Sequence, residues 1–292
     1  MLRIGFVYNT NAGRRFKSKK IKEIRDVLLN HGTVQEFEIK NPYSLNQEVV
    51  TLTSNFDLLV IAGGDGSVNG VINLLKEKTP PLLVLPFGSG NDISQSFHPK
   101  LNLQRINKAL KELEFKKVDL MEISGKESIF CLTVACLGTD ARVSKRASTM
   151  PRFLAGARYV LATIMEIFKN SPTEVTVTTD GFSYQGDVSV CSLANTAQYG
   201  GGIEISPRSN IADGQLELVF VKKLDRLALL LLFILLLLKQ HTKSRKINFI
   251  KTNNIHLASS NQQLEVWSDG QFMSELPCRI SVAKFKLSVL RV

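Results

Sequence analysis

A chain of 292 residues is too long for one minimal domain and suits two modest ones or one large one. Its hydrophobic content of 44 % supports a real core and excludes wholesale disorder. A net charge of +11 favours anionic partners, whether nucleic acid, an acidic membrane surface or phosphorylated ligands, and the sign alone does not choose among them.

Met1 to Tyr8 lacks the charged-then-apolar layout of a secretion signal, and Arg3–Tyr8 reads as a short buried strand. Lys19–Asn30 follows as an amphipathic helix with Ile21, Ile24, Val27 and Leu28 on one stripe, and Val34–Ile39 as a strand. Phe56–Ala62 is a continuous apolar run that fits a parallel strand buried on both faces. Ser67–Lys78 has helical spacing, Leu82–Pro86 reads as a strand before a Gly-rich turn, and Leu103–Glu114 as a helix. This β-α-β-α order predicts an α/β domain with an open, mostly parallel sheet.

Near Val118 the pattern changes to strands: Ile129–Ala135, Glu174–Thr179, Tyr184–Leu193, Leu216–Lys222, Ile255–Ala258, Gln263–Trp267 and Cys278–Val282. Asp180-Gly181, Asp213-Gly214 and Asp269-Gly270 mark turns between several of them. Leu154–Asn170 is the one clear helix early in this half. The expected division is an α/β domain over residues 1–120 and a β-rich, sandwich-like domain over 121–292, with the closing strand a candidate to return to the first. The four cysteines, Cys131, Cys136, Cys191 and Cys278, form no Cys-x-x-Cys pair and have no His at zinc-ligand spacing. They read as reduced core residues of a cytoplasmic protein, with Cys131 and Cys136 on opposite faces of one strand.

The sharpest motif is Gly63-Gly64-Asp65-Gly66-Ser67-Val68-Asn69, between a buried strand and a helix start. There, backbone N–H groups and the helix dipole hold phosphate oxygens, and glycine lets the main chain come close. Asp65 repels phosphate, so its useful role is to hold a Mg²⁺ that bridges to a nucleotide. The bland alternative is a tight turn capped by Ser67. Pro86-Phe87-Gly88-Ser89-Gly90-Asn91-Asp92 follows the next strand, where Asp92 can join Asp65 around a metal; a type II turn with an Asn N-cap is the plain reading. Tyr8 to Arg15 adds a Gly-containing loop and two arginines after the first strand, a weaker signal that a solvated loop also explains.

Together these motifs resemble the catalytic domain of the diacylglycerol kinase superfamily, which includes bacterial soluble lipid kinases and sphingosine kinases. The resemblance runs through Leu137-Gly138-Thr139-Asp140-Ala141, through Asn195 with Tyr199-Gly200-Gly201-Gly202, Pro207 and Ala212-Asp213-Gly214, and ends at Asp269-Gly270-Gln271 with Leu276-Pro277. The Gly-Gly-Asp-Gly core is shared with NAD kinases and phosphofructokinases, whereas the later motifs point to lipid kinases.

The resemblance implies an ATP- and Mg²⁺-dependent kinase acting on the hydroxyl of a membrane lipid such as diacylglycerol. It assigns ATP contacts to Asn9, Thr10, Asn11, Ala12 and Gly13, to Gly63, Gly64, Asp65, Gly66, Ser67, Val68 and Asn69, and to Ser89 where the family has Thr. Lys40 falls near a strand end where the family often has a nucleotide-touching Thr. Asp65, Asp92 and Asp119 match an acidic network around the catalytic Mg²⁺. Asp213 matches a structural metal ligand helped by main-chain carbonyls at Asn210 and Gln215, with a strand-end cap for Asp119 and a plain turn for Asp213 as the alternatives.

One departure bears on catalysis. The family's general base is the Glu of Asp-Gly-Glu, and here that position is Gln271. A neutral amide cannot take a proton from a hydroxyl, a loss of on the order of 10²–10⁴-fold. Asp269 or Glu275 is a stand-in if the loop is displaced, and a catalytically impaired nucleotide- and lipid-binding homologue is the second reading.

Leu227–Leu238, followed by Lys239, His241, Lys243, Arg245 and Lys246, is too short to span a bilayer. It reads either as a helix docking peripherally on the anionic inner face of a membrane or as a buried core helix. No aromatic-plus-basic recognition pattern supports nucleic acid as a partner, and a homodimer stays open.

Overall fold

The computed structural model describes residues 1–11, 18–39, 55–125, 127–151, 154, 156–169, 171, 173–260 and 264–292, and the structural statements below concern these. Ala12, Gly13 and Lys40, to which nucleotide contacts are assigned above, lie outside them. Two compact units result, Met1–Val118 with Phe285–Val292, and Asp119–Lys284.

The first unit runs β1 (Leu2–Asn9), α1 (Ser18–Leu29), β2 (Gly32–Ile39), β3 (Leu58–Gly63), α2 (Asp65–Leu75), β4 (Leu82–Pro86), α3 (Asp92–Phe97), α4 (Leu103–Glu112) and β5 (Phe115–Val118). Its six-stranded sheet has the order β2-β1-β3-β4, then the last strand Leu287–Leu290, then β5. All neighbours are parallel except Leu287–Leu290 with β5. β3 is buried along its whole length, as a strand covered on both faces must be. α4 shows how a helix is set locally: the Asn102 side chain accepts the Arg105 N–H at 2.9 Å, and Ile106, Ala109 and Leu110 form the buried stripe. β1 lies between β2 and β3, so the sheet reverses its direction of growth there, and the loops after β1 and β3 leave side by side.

The second unit contains β6 (Met121–Ser124), β7 (Ser128–Cys131), β8 (Val134–Gly138), α5 (Thr139–Thr149), α6 (Ala157–Lys169), β9 (Thr173–Thr178), β10 (Ser183–Ala194), β11 (Leu216–Lys222), α7 (Arg226–Leu237), β12 (Asn248–Thr252), β13 (Asn254–Ala258), β14 (Glu265–Ser268), β15 (Gln271–Glu275) and β16 (Cys278–Val282). Its eleven strands pair antiparallel around a core that includes Met121, Val175, Leu193, Leu218 and Ile280.

Three local expectations are corrected. The helix after β3 begins at Asp65, not Ser67, because the Gly64 carbonyl already accepts the Ser67 and Val68 N–H groups. Ile129–Ala135 is two strands, β7 and β8, broken at Leu132 and Thr133, whose carbonyls accept from the Asn195 side-chain amide and backbone N–H. Cys131 and Cys136 therefore stand on different strands, and all four cysteines are buried and free. α5 adds a helix beside the one expected in this region. Its buried stripe includes Thr139, Asp140 and Ser144, so hydrophobic periodicity does not reveal it.

Candidate active site

Gly63 pairs with Pro86 at the carboxyl ends of β3 and β4, so the two Gly-rich loops start level with each other. They then touch backbone to backbone. A Cβ on Gly88 would lie 2.4 Å from the Gly64 Cα, and one on Gly64 would lie 3.0 Å from the Gly88 Cα. These two glycines are therefore required by the approach of one loop to the other, whatever ligand the loops hold.

Asp65 ties the loops together. One carboxylate oxygen accepts the Asn91 N–H and the other the Ile93 N–H, each at 2.9 Å. Both donors belong to the start of α3, where a carboxylate is favoured by unpaired N–H groups and the helix dipole. Burial pushes the Asp65 carboxyl above the usual carboxylate range, against the opposing pull of these backbone donors. Asn91 is left-handed, with φ 63°, and its side chain accepts the Gly88 N–H at 2.6 Å and donates to the Gly88 carbonyl at 2.9 Å. Asn91 thus stands at the N-cap position of α3, as the plain reading has it, but its side chain clamps the loop and caps no helix N–H. Asn9 at the end of β1 donates to the Ser67 Oγ at 2.9 Å and accepts the Asn11 N–H at 2.9 Å, joining the first loop to the second. Thr10 donates its N–H to the Ile39 carbonyl. Ser67, Val68, Asn69 and Asp92 are buried behind this surface, while Gly64, Asp65, Gly66 and Ser89 are partly exposed on it.

The donor chemistry of Asp65 is compatible with a magnesium ion, whereas Asp92 is buried behind the loop surface. Asp65 brings one carboxylate to the loop surface, each oxygen accepting a loop N–H, and Mg²⁺ commonly takes only one or two carboxylates plus substrate phosphates. Among the described residues no cluster of three or more His, Cys, Asp or Glu is placed to hold a metal.

Asp119 belongs to the second unit, is fully buried, and accepts the Gly214 N–H at 2.7 Å, while its own N–H goes to the Ile211 carbonyl. This places it against the Asp213 turn. Asp213 itself fits a metal poorly. One of its oxygens accepts the Gln215 N–H at 3.1 Å and the other pairs with the Lys251 ammonium at 3.2 Å. Asn210 uses its side chain to accept the Ala212 N–H. An ammonium group thus stands where a metal cation would neutralise Asp213, so no role is derived from a metal there.

Asp269 and Gly270 have φ of 52° and 72° and form the turn between β14 and β15, with Ser268 opposite Gln271. Thr133 and Ser268 both donate their hydroxyls to the Asp269 carboxylate. Asp269 is thus in the same turn as Gln271. Glu275 lies at the other end of β15, roughly 13 Å along the strand at 3.3 Å per residue.

A second polar centre lies in the same unit. Asp140, in the first turn of α5, accepts the Ser192 hydroxyl at 2.5 Å and the Tyr199 phenol. Burial, with the Asp140 charge beside it, pushes the Tyr199 phenol well above its usual value, so it is a hydroxyl donor at neutral pH. Gly138 before it adopts φ 76°, the freedom that the Gly-x-Asp-Ala turn needs. Asp140 and Tyr199 stand in the wall of a cavity lined mainly by apolar side chains, among them Ile167, Val219, Leu229, Leu232 and Phe233, with Thr139, Thr163 and His241 as its other polar residues. Sequence reasoning marked Asp140 and Tyr199 only as motif letters. Their pairing depends on β10 bringing Ser192 and the following loop beside β8.

An open parallel sheet with two locked Gly-rich loops, followed by an antiparallel β-rich unit, is the fold of the NAD-kinase-like class. The structure of an NAD kinase from Archaeoglobus fulgidus in complex with ATP shares it, with a TM-score of 0.57 at 16 % identity, covering 99 % of this chain and 94 % of that one. Residues 3–123 match the diacylglycerol kinase catalytic domain, and residues 133–291 match the YegS C-terminal NAD kinase beta sandwich-like domain. The chain belongs to the diacylglycerol kinase catalytic-domain family of kinase-type enzymes. A diacylglycerol kinase of Mycobacterium tuberculosis is 28 % identical over 80 % of this chain and 77 % of its own length. One from Staphylococcus carnosus is 23 % identical over 98 % and 94 %. A crystal structure of a putative diacylglycerol kinase from Bacillus anthracis superposes with a TM-score of 0.82 at 21 % identity, covering 99 % of this chain and 97 % of that one.

Proposed function

We propose that this chain transfers the terminal phosphoryl group of ATP to the hydroxyl of diacylglycerol or a similar membrane lipid alcohol, working peripherally at the cytoplasmic face of a membrane. The observation that carries the reading is the Asp65-locked pair of Gly-rich loops at the ends of β3 and β4, together with relatives named as diacylglycerol kinases.

In this reading the N–H groups at the start of α2 and the loop backbone receive phosphate oxygens. Asn9, Thr10, Asn11, Ser67 and Ser89 supply neutral hydrogen bonds around the nucleotide, and Gly63, Gly66, Val68 and Asn69 complete its loop. Asp65 and Asp92 would hold Mg²⁺, which when bound would supply charge neutralisation for the phosphates. Asp119 orders the Gly214 turn. The apolar cavity of the second unit takes acyl chain, with Asp140 and Tyr199 offering hydrogen bonds at its polar wall.

Gln271 leaves the acceptor proton without a carboxylate at the position where the family carries Glu. Phosphoryl transfer rests mainly on positioning and charge stabilisation, so turnover continues slowly. The second reading, a nucleotide- and lipid-binding homologue that scarcely turns over, rests on the same residue.

The test is transfer of radiolabel from ATP into lipid with Mg²⁺ and mixed micelles, using native protein, Gln271→Glu and Asp65→Ala. Label in a lipid product, lost in Asp65→Ala and raised by on the order of 10²-fold or more in Gln271→Glu, supports the kinase with an altered base. Measurable ATP binding with no labelled lipid from either the native or the Gln271→Glu protein favours the binding homologue.

A further inference from the structure

α7 is apolar all round, which in a globular protein normally means burial on every side. Here only one side is covered. Leu229, Leu232 and Phe233 face inward, whereas Leu227, Leu231, Ile234 and Leu238 are exposed, Leu227 to 67 %. Spacings of four, three and four residues put those exposed side chains on a single stripe. Helix α6, which packs on α7 through Ile167, Val160 and Ile164, repeats the arrangement. Its Leu161, Met165 and Phe168 are also four and three apart and exposed, Phe168 to 60 %.

Seven large apolar side chains on two touching helices are more than the scattered exposure of an ordinary surface. Two further observations say what covers them. The first is charge: between residues 222 and 246 the chain carries seven Lys or Arg and one acid, Asp225, which is used as the α7 N-cap at 2.8 Å from the Ala228 N–H. Lys243, Arg245 and Lys246, just beyond α7, are exposed. The second is continuity with the cavity. The inner faces of the same helices, through Thr163 and Ile167 of α6 and Leu229, Leu232 and Phe233 of α7, line the apolar cavity that contains Asp140 and Tyr199. Among the described residues no helix is long and apolar enough to cross a membrane, so α7 can only lie along one.

We infer that the outer stripes of α6 and α7 seat on an anionic phospholipid bilayer, with Lys243, Arg245 and Lys246 on the headgroups, and that the acceptor lipid passes from that bilayer into the cavity walled by the inner faces of the same two helices. The inference rests on the lipid-kinase reading for its second half, and its first half is tested without turnover.

The experiment is co-sedimentation of the full chain with vesicles of phosphatidylcholine alone and of phosphatidylcholine mixed with phosphatidylglycerol in equal parts. Native protein sediments with the mixed vesicles, less as salt rises, and weakly with phosphatidylcholine alone. Replacing Lys243, Arg245 and Lys246 together by Gln lowers affinity for the mixed vesicles by about 100-fold, at roughly fivefold per basic group. Leu227→Asp with Leu231→Asp lowers affinity for both kinds of vesicle by about tenfold or more. Both variants keep the native thermal transition and the native rate on a short-chain acceptor dispersed in detergent micelles, because neither touches the cavity or the loops. Native sedimentation by both variants overturns the inference, as does a native dimer that the leucine pair dissociates while no vesicles are bound. Loss of activity on the micellar acceptor, with vesicle binding intact, counts against the kinase reading and not against the surface.

Discussion

The two Gly-rich loops of the first unit and the Asp140 centre of the second are built by opposite means. The loops are held by main chain: Gly64 against Gly88, Asp65 receiving two backbone N–H groups, and Asn91 bonding both polar groups of Gly88. The Asp140 centre is held by side chains, Ser192 and Tyr199 onto one carboxylate, with a buried ionic clip close by in which Glu166 pairs with Arg146 and Arg142. A site made of backbone tolerates no added atom, whereas one made of side chains tolerates changes of shape but not the loss of a partner.

The sharpest way to break this contrast is Glu166→Ala. Glu166 is 2 % exposed, and its removal leaves the partly exposed Arg146 and Arg142, with Lys169, without their shared counter-ion, so stability falls by about 2–4 kcal/mol. Urea unfolding of the native and variant chains measures it, and a change under about 1 kcal/mol would show that the clip is solvated.

Gly88→Ala probes the other construction. The new methyl meets the Gly64 Cα, so the loops must separate, at about 1–3 kcal/mol in overpacking, and nucleotide affinity drops with them. Calorimetric titration with ATP beside the unfolding curve separates the two effects. Unchanged affinity would mean that the loop contact does not shape the nucleotide site.

His98 gives the contrast a pH dependence. It is 3 % exposed in the first unit and close to Lys116, and burial lowers its pKa from 6.5 to about 3. A base whose folded pKa is depressed contributes its full stability above 6.5 and loses it as pH falls toward 3. The native chain therefore loses about 2 kcal/mol between pH 7 and pH 5 through this group. In His98→Leu that share of the acid loss disappears, which unfolding curves at the two pH values would show. Equal slopes for native and variant chains would mean that water reaches the ring.

Tyr199→Phe tests the side-chain centre directly. It removes one of the two hydroxyl donors to buried Asp140 and costs about 1–3 kcal/mol, with the fold retained. Near-neutral stability would place another donor on Asp140.

The loops were legible in the sequence, and the side-chain centre was not, for a reason visible in particular residues. Gly63 to Asn69 and Pro86 to Asp92 each follow an apolar run and carry glycines that no other residue replaces, so composition and order point to them directly. Asp140, Ser192 and Tyr199 are ordinary residue types far apart in the chain, and nothing local says they meet. α5 is hidden for a related reason, since half of its buried face is polar.

By itself the sequence determined the succession of a mostly parallel α/β half and a β-rich half and the position of the Gly-rich loops, because strand burial, helix stripes and glycine punctuation are local and periodic; the altered base position at Gln271 is what the family resemblance implies. Only the tertiary structure decided that Asp65 locks the loops, that Asp213 pairs with Lys251, and that α7 is covered on one side and bare on the other. Those facts depend on which segments distant in the chain come to lie together, and no local pattern records that.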